Sequence, residues 1–195
     1  LQTKAQDKVG NETESEIGRI STTKIPGGDE IIITPSEDDW TNENIEVEIT
    51  WPEGTEDLDK KYSTDGGETW EDYEGPITVE ENTEIIAKLE DEKGQEGEEA
   101  RKEITNIDKA NPGTEAPSAT STTSRIIITC NQTDNESGIN EDSIQYRIRK
   151  VGEEEWSNWQ PSNTFSNLSK DTEYEIQTKV QDNAGNETES EIGTI

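Results

Sequence analysis

The sequence predicts an all-β chain in which two β-sandwiches follow one another, preceded by the terminal hairpin of a further sandwich. Short apolar runs alternate with polar residues at period two, and no stretch has helical periodicity. Clusters of Gly, Asn, Asp and Pro punctuate these runs at intervals of about ten residues, the spacing expected of sandwich strands. The chain also carries an internal copy: residues 1–20 and 176–195 agree at fifteen of twenty positions, with a constant offset of 175. A repeat of that kind governs the architecture.

Taken in order, residues 1–22 are the last two strands of a preceding sandwich, because their copy closes the second one. A lone hairpin is marginal in water, so its order is expected to depend on strands supplied by another chain or another part of the same chain. The passages "STTKIPGGDE" and "NIDKANPGTEAP" are Pro- and Gly-rich boundaries. They delimit a first sandwich over 25–110 and a second over 113–195. In the first, "EIIITP" is a short apolar run. "IEVEITW" turns Ile45, Val47, Ile49 and Trp51 to one side and Glu46, Glu48 and Thr50 to the other, as a strand with one wet face requires. "EIIAKLE" places Ile85, Ala87 and Leu89 on one face. In the second, "RIIITC" is another short apolar run, with Ile126, Ile128 and Cys130 in phase. Ile144, Tyr146 and Ile148 share a face in "SIQYRIRKV", as do Tyr174, Ile176, Thr178 and Val180 in "EYEIQTKV".

Composition bounds the function. Lys and Arg number 17 against 47 Asp and Glu, a formal charge of -30. Such a chain repels phosphate backbones and anionic lipid, so neither nucleic acid nor a membrane surface is an expected partner. No apolar run approaches the ~20 residues of a membrane helix. Leu, Ile, Val and Phe total only 32 residues, 22 of them Ile, which by count alone belongs with disordered chains. Their ordered alternation overrides the count and predicts small cores under a highly charged surface. Cys130 is the one cysteine, so no disulfide forms within the chain, and its place on an apolar strand face predicts a buried small hydrophobe.

One turn recurs. "KLEDEKGQEGEE" reads against "KVQDNAGNETES" and "KAQDKVGNETES", aligning Lys88, Asp91, Gly94 and Glu96 with Lys179, Asp182, Gly185 and Glu187. Asp can accept from backbone amides two residues on, and Gly three residues later takes positive φ. A second device is "STDGGETW", an Asp-box pattern through Ser63, Asp65, Gly67 and Trp70. It reads as a folding hairpin in preference to a glycan contact. The absence of His excludes Ser-His-Asp, Cys-His and HExxH chemistry. With 47 acids, no carboxylate pair is informative by itself, and no enzyme is expected. Calcium is the one cofactor the residues suggest: Asp108 at the boundary, Asp134 and Glu136 in "TDNESG", and Asp182 in "QDNAGN" supply hard oxygens from separate loops. The plainer reading of the same residues is turn capping.

In "LSKDTEYEIQTKVQDNAGN", Leu168 and Tyr174 are spaced as in a tyrosine corner, and the second sandwich resembles a fibronectin type III module. The resemblance implies that the Tyr174 hydroxyl bonds back to the main chain. It fails where that family usually has a Trp, at the "RIIITC" strand, and Trp156 and Trp159 are expected to fill the volume. The first sandwich, through "KYSTDGGETWEDYEGPITVEENTEIIAKLED" and "ITNIDKANP", is similar to the Ig-like repeats of bacterial surface proteins. Together these resemblances imply an extracellular, surface-attached structural stalk, from a bacterium or a phage, whose partners are neighbouring repeats. Two other functions stay open: an adhesion module for a surface glycan or host protein, and an accessory region of a secreted polysaccharide hydrolase.

Overall fold

The structure, a computed structural model, describes residues 4–6, 8–14 and 24–195. Strands β1 (Lys4–Gln6) and β2 (Glu12–Glu14) form an antiparallel hairpin. The expectation for the rest of 1–22 lies outside the described residues. After a short 3-10 turn at Gly28–Glu30 come β3 (Ile32–Pro35), β4 (Ile45–Thr50), β5 (Asp59–Ser63), β6 (Glu71–Asp72), β7 (Ile77–Val79), β8 (Thr83–Glu90) and β9 (Ala100–Ile104). They pair as two antiparallel sheets, β3-β4-β7 and β6-β5-β8-β9. Then follow β10 (Gly113–Thr114), β11 (Ser118–Thr122), β12 (Arg125–Thr129), β13 (Gln132–Thr133), β14 (Ile139–Lys150), β15 (Thr164–Ser166), β16 (Tyr174–Asp182), β17 (Glu187–Glu189) and β18 (Gly193–Thr194). Here β11-β12-β15 faces a sheet in which β16 lies between β14 and the pair β17 and β18. The two sandwiches follow one plan: β4 corresponds to β12, β5 to β14 and β8 to β16. Among the described residues no helix is long and apolar enough to cross a membrane.

The alternation of "IEVEITW" is realised residue by residue, with Ile45, Val47 and Ile49 buried between exposed Glu46, Glu48 and Thr50. These side chains meet Ile85, Ala87 and Leu89 of β8 in the first core. Strand β8 departs from a one-faced reading, because Ile86 and Lys88 on its other side are also buried. The Asp-box hairpin covers that side: Lys88 Nζ lies 3.9 Å above the Trp70 ring, and Gly67, beside Trp70 and Ile86, supplies the positive φ of the turn. Lys88 also pairs with Glu96 at 2.5 Å. The charge is thus taken up by a carboxylate and a ring face, and the strand is sealed on both sides.

The second core gathers Ile126, Ile128, Ile148, Phe165, Tyr174 and Ile176. Trp156 and Trp159 do not belong to it, contrary to the volume-filling expectation. They lie outside the four-stranded sheet, where Arg147 stacks on both rings at 4.7 and 4.2 Å and Arg149 on Trp156 at 4.4 Å. The reason is strand phase: Arg147 and Arg149 alternate with Tyr146 and Ile148, so the residues facing the two indoles are cationic. Cys130 is half-buried rather than buried, because β12 ends at Thr129 and the chain leaves the sheet there. Its thiol meets the Glu115 carbonyl at 3.1 Å.

Candidate metal centre

The loop Asn106 to Ala110 leaves β9 and is fastened on the side of the first sandwich. Asn106 donates through Nδ2 to the carbonyls of Glu37 and Asp39. Asp108 N–H donates to the Thr41 carbonyl at 2.9 Å. The same Asp108 is fastened on the other side, where its Oδ2 accepts from Ser137 N–H at 3.1 Å and its carbonyl accepts from Asn186 Nδ2 at 2.9 Å. Its Oδ1 accepts from the Ala110 amide. A single residue therefore ties the boundary segment to β-sandwiches before and after it, and it is 0% exposed.

Two loops of the second sandwich complete the surroundings. Asp134 accepts through Oδ2 from Glu136 N–H at 3.1 Å and Gly138 N–H at 2.6 Å, which curls "DNESG" into a compact turn. Positive φ at Gly138 lets the chain leave that turn. Asp182, 1% exposed, accepts from both the amide and the side chain of Asn186 at 2.9 and 2.8 Å. Asn183 joins the loops, donating its N–H to Gly138 O and its Nδ2 to Ser137 O.

These bonds bring carboxylate oxygens of Asp108, Asp134 and Asp182 within 4.8 Å of one another. Glu136 stands apart: its side chain is exposed, and it contributes only its main-chain amide, to Asp134. The residue the sequence reading missed is its neighbour Ser137. Ser137 is 7% exposed and its Oγ has no hydrogen-bond partner, while its N–H holds the Asp108 carboxylate. Burial raises the pKa of Asp108, but its bonds from Ser137 and from the Ala110 amide favour the ionised form and hold it below its ordinary value. Three like charges this close repel by about 3 kcal/mol per pair at an effective dielectric constant near 20. Among the described residues, no Lys or Arg forms an ion pair with any of the three. The adjacent Lys109 turns to Asn44 instead, at 2.5 Å.

The other singled-out residues do structural work. Asp65 gathers the Asp-box turn, accepting from Thr69 N–H and Oγ1 and from Ser63 Oγ, and these bonds hold its carboxyl well below the usual range. Gly67, at φ 91, donates its N–H to Ser63 Oγ. In the second sandwich Ser169 N–H donates to the Tyr174 hydroxyl at 3.0 Å, while Leu168 packs against the core.

No protein-family model matches the chain, and no curated protein matches it. Among solved structures it is similar to domains A168-A170 from titin, at 10% identity and a TM-score of 0.47, over 100% of this chain and 73% of that one. It is also similar to the chicken CNTN1 FN1-FN3 domains, at 15% identity and a TM-score of 0.33, over 98% and 74%. The tandem-sandwich architecture rests on the strand pairing and the two cores themselves.

Proposed function

We propose that the chain is a spacer: β-sandwiches stacked end to end in an extracellular, surface-attached protein of a bacterium or phage, holding a functional head away from its anchor. The observation that carries this reading is the fastening of Asp108 to both sandwiches, since a boundary segment hydrogen-bonded on both sides transmits orientation where a loose tether does not. The hairpin at the start supports it further. Lys4 faces Glu14, Ala5 faces Thr13 and Gln6 faces Glu12. Lys179, Val180 and Gln181 face Glu189, Thr188 and Glu187 in the same register, each 175 residues on. Residues 1–22 then read as the end of an earlier copy, and 25–110 with 113–195 as one period of an array. A charge of -30 opposes lateral association of such rods.

Small-angle X-ray scattering tests the reading. The expected result for 25–195 within the full chain is an elongated particle, two sandwiches contributing roughly 60 Å, fitted by one angle at the boundary. A near-spherical particle, or data requiring a broad range of angles, would refute the spacer.

A further inference from the structure

We infer that Asp108, Asp134 and Asp182, with the Ser137 hydroxyl, form a calcium site that pins the boundary segment to the second sandwich. The carboxylate cluster would not support this without further support. What points to a ligand is the buried Ser137 Oγ, which has no hydrogen-bond partner and belongs to the residue whose N–H bonds the Asp108 carboxylate at 3.1 Å. A buried hydroxyl without a partner is uncommon, and each such group asks for an explanation. A cation explains it together with the uncompensated charge of its neighbours.

The geometry suits the ion. Ca²⁺ takes oxygen ligands at about 2.3–2.6 Å, so two oxygens on opposite sides of it lie at most about 5 Å apart. The three carboxylates already lie within 4.8 Å of one another. Each keeps ligating capacity: a carboxylate has two oxygens with about four lone-pair sites, and the amide bonds use only part of these. Three carboxylates and a hydroxyl fall short of the 6–8 oxygens Ca²⁺ prefers, and bidentate carboxylates or water supply the remainder. The ligands come from the boundary segment (Asp108), the β13–β14 turn (Asp134, Ser137) and the end of β16 (Asp182), so the ion crosslinks segments far apart in the chain. Calcium is favoured over magnesium because loop-borne carboxylates tolerate its flexible coordination, whereas Mg²⁺ demands near-ideal octahedral geometry. This inference stands apart from the spacer reading, since an ion can bind here whatever the molecule carries.

The test uses the full chain, stripped with chelator and titrated with CaCl₂ at fixed ionic strength. MgCl₂ serves as the control, because any divalent cation screens a charge of -30. Calorimetric titration is expected to show one saturable Ca²⁺ per chain. Melting temperature should rise by about 5–10 °C at saturating Ca²⁺, beyond any rise with Mg²⁺. Asp134→Asn is the informative variant, as Asp134 is only half-buried and its loss of charge relieves repulsion. It should be at least as stable as the parent in chelator and should lose the calcium-specific rise. Asp91→Asn, in the corresponding turn of the first sandwich, should keep it. Equal shifts with Ca²⁺ and Mg²⁺, no saturable heat, or equal loss in both variants would overturn the site.

Discussion

The turn after β8 and the turn after β16 are the same device in two settings. Asp91 N–H donates to Gln95 O at 3.0 Å and Gly94 N–H to Asp91 O at 2.9 Å; Asp182 and Gly185 make the same bonds at 3.1 and 3.3 Å. Gln95 donates through its amide and its side chain to the two oxygens of Asp91, at 2.9 and 2.7 Å, just as Asn186 does to Asp182. Gly94 and Gly185 both have positive φ, 74 and 95. Yet Gln95 is exposed, while Asn186 is buried beside Asp108. Local sequence makes the turn, and the neighbour it meets decides what the turn is worth.

The comparison breaks most sharply four residues after the aspartate, at Gln95 and Asn186. Asn186 Nδ2 serves both Asp182 Oδ2 and the Asp108 carbonyl, so Asn186→Ala leaves buried acceptors unpaired and should cost about 2 kcal/mol. Gln95→Ala removes one exposed bond and should cost no more than about 0.5 kcal/mol. Urea unfolding of the two variants measures both. If the sandwiches unfold as separate transitions, the Asn186 variant should move the second and the Gln95 variant should leave both nearly in place. Equal costs would mean that the surroundings of Asn186 contribute nothing.

A smaller contrast lies one turn back, at the aligned lysines. Lys88 is 6% exposed, 3.9 Å above Trp70 and 2.5 Å from Glu96. Lys179 has the same partners at looser range, 5.4 Å from Trp159 and 3.3 Å from Glu187. Lys88→Ala should therefore cost about 1–2 kcal/mol and Lys179→Ala about 0.5 kcal/mol or less. Differential scanning calorimetry of the pair would show whether the order holds, and a reversed order would assign the cost to something other than the ring and the carboxylate.

What the sequence disclosed follows from the range of the interactions. Alternation in "IEVEITW" and the Asp-to-Gly spacing of the turns are set within a few residues, and both are legible in a string of letters. The three aspartates were legible as loop acids near a boundary. Their mutual approach was not, because it depends on how Asn183 and Asn186 join loops more than forty residues apart. Ser137 was overlooked for the opposite reason: an acid next to it, Glu136, looked the better ligand, and only burial separates them. The second face of β8 was hidden in the same way, since nothing within "EIIAKLE" announces that the Trp70 hairpin folds over it. Trp156 and Trp159 misled because aromatic residues suggest a core, whereas the cations opposite them on β14 draw them outside.

The gentlest probe of the comparison is acid. The hydrogen bonds of Gln95 hold the Asp91 carboxyl below its ordinary value, a larger effect than the partial burial that opposes them. A carboxyl lowered in the folded state contributes stability that is complete above its unfolded pKa and is lost as pH falls through its folded one. As the pH falls below the ordinary Asp range near about 4, the parent should thus lose stability partly through this group. Asp91→Asn cannot titrate, so its urea midpoint should lie below the parent's near neutrality and fall less as the pH drops, the two converging in acid. Asp65→Asn should flatten the acid limb more, because Thr69 and Ser63 lower that carboxyl further. Parallel acid limbs for parent and both variants would show that these exposed turns hold their shape through glycine and the main-chain bonds alone, leaving the carboxylate a consequence of the turn and not a cause.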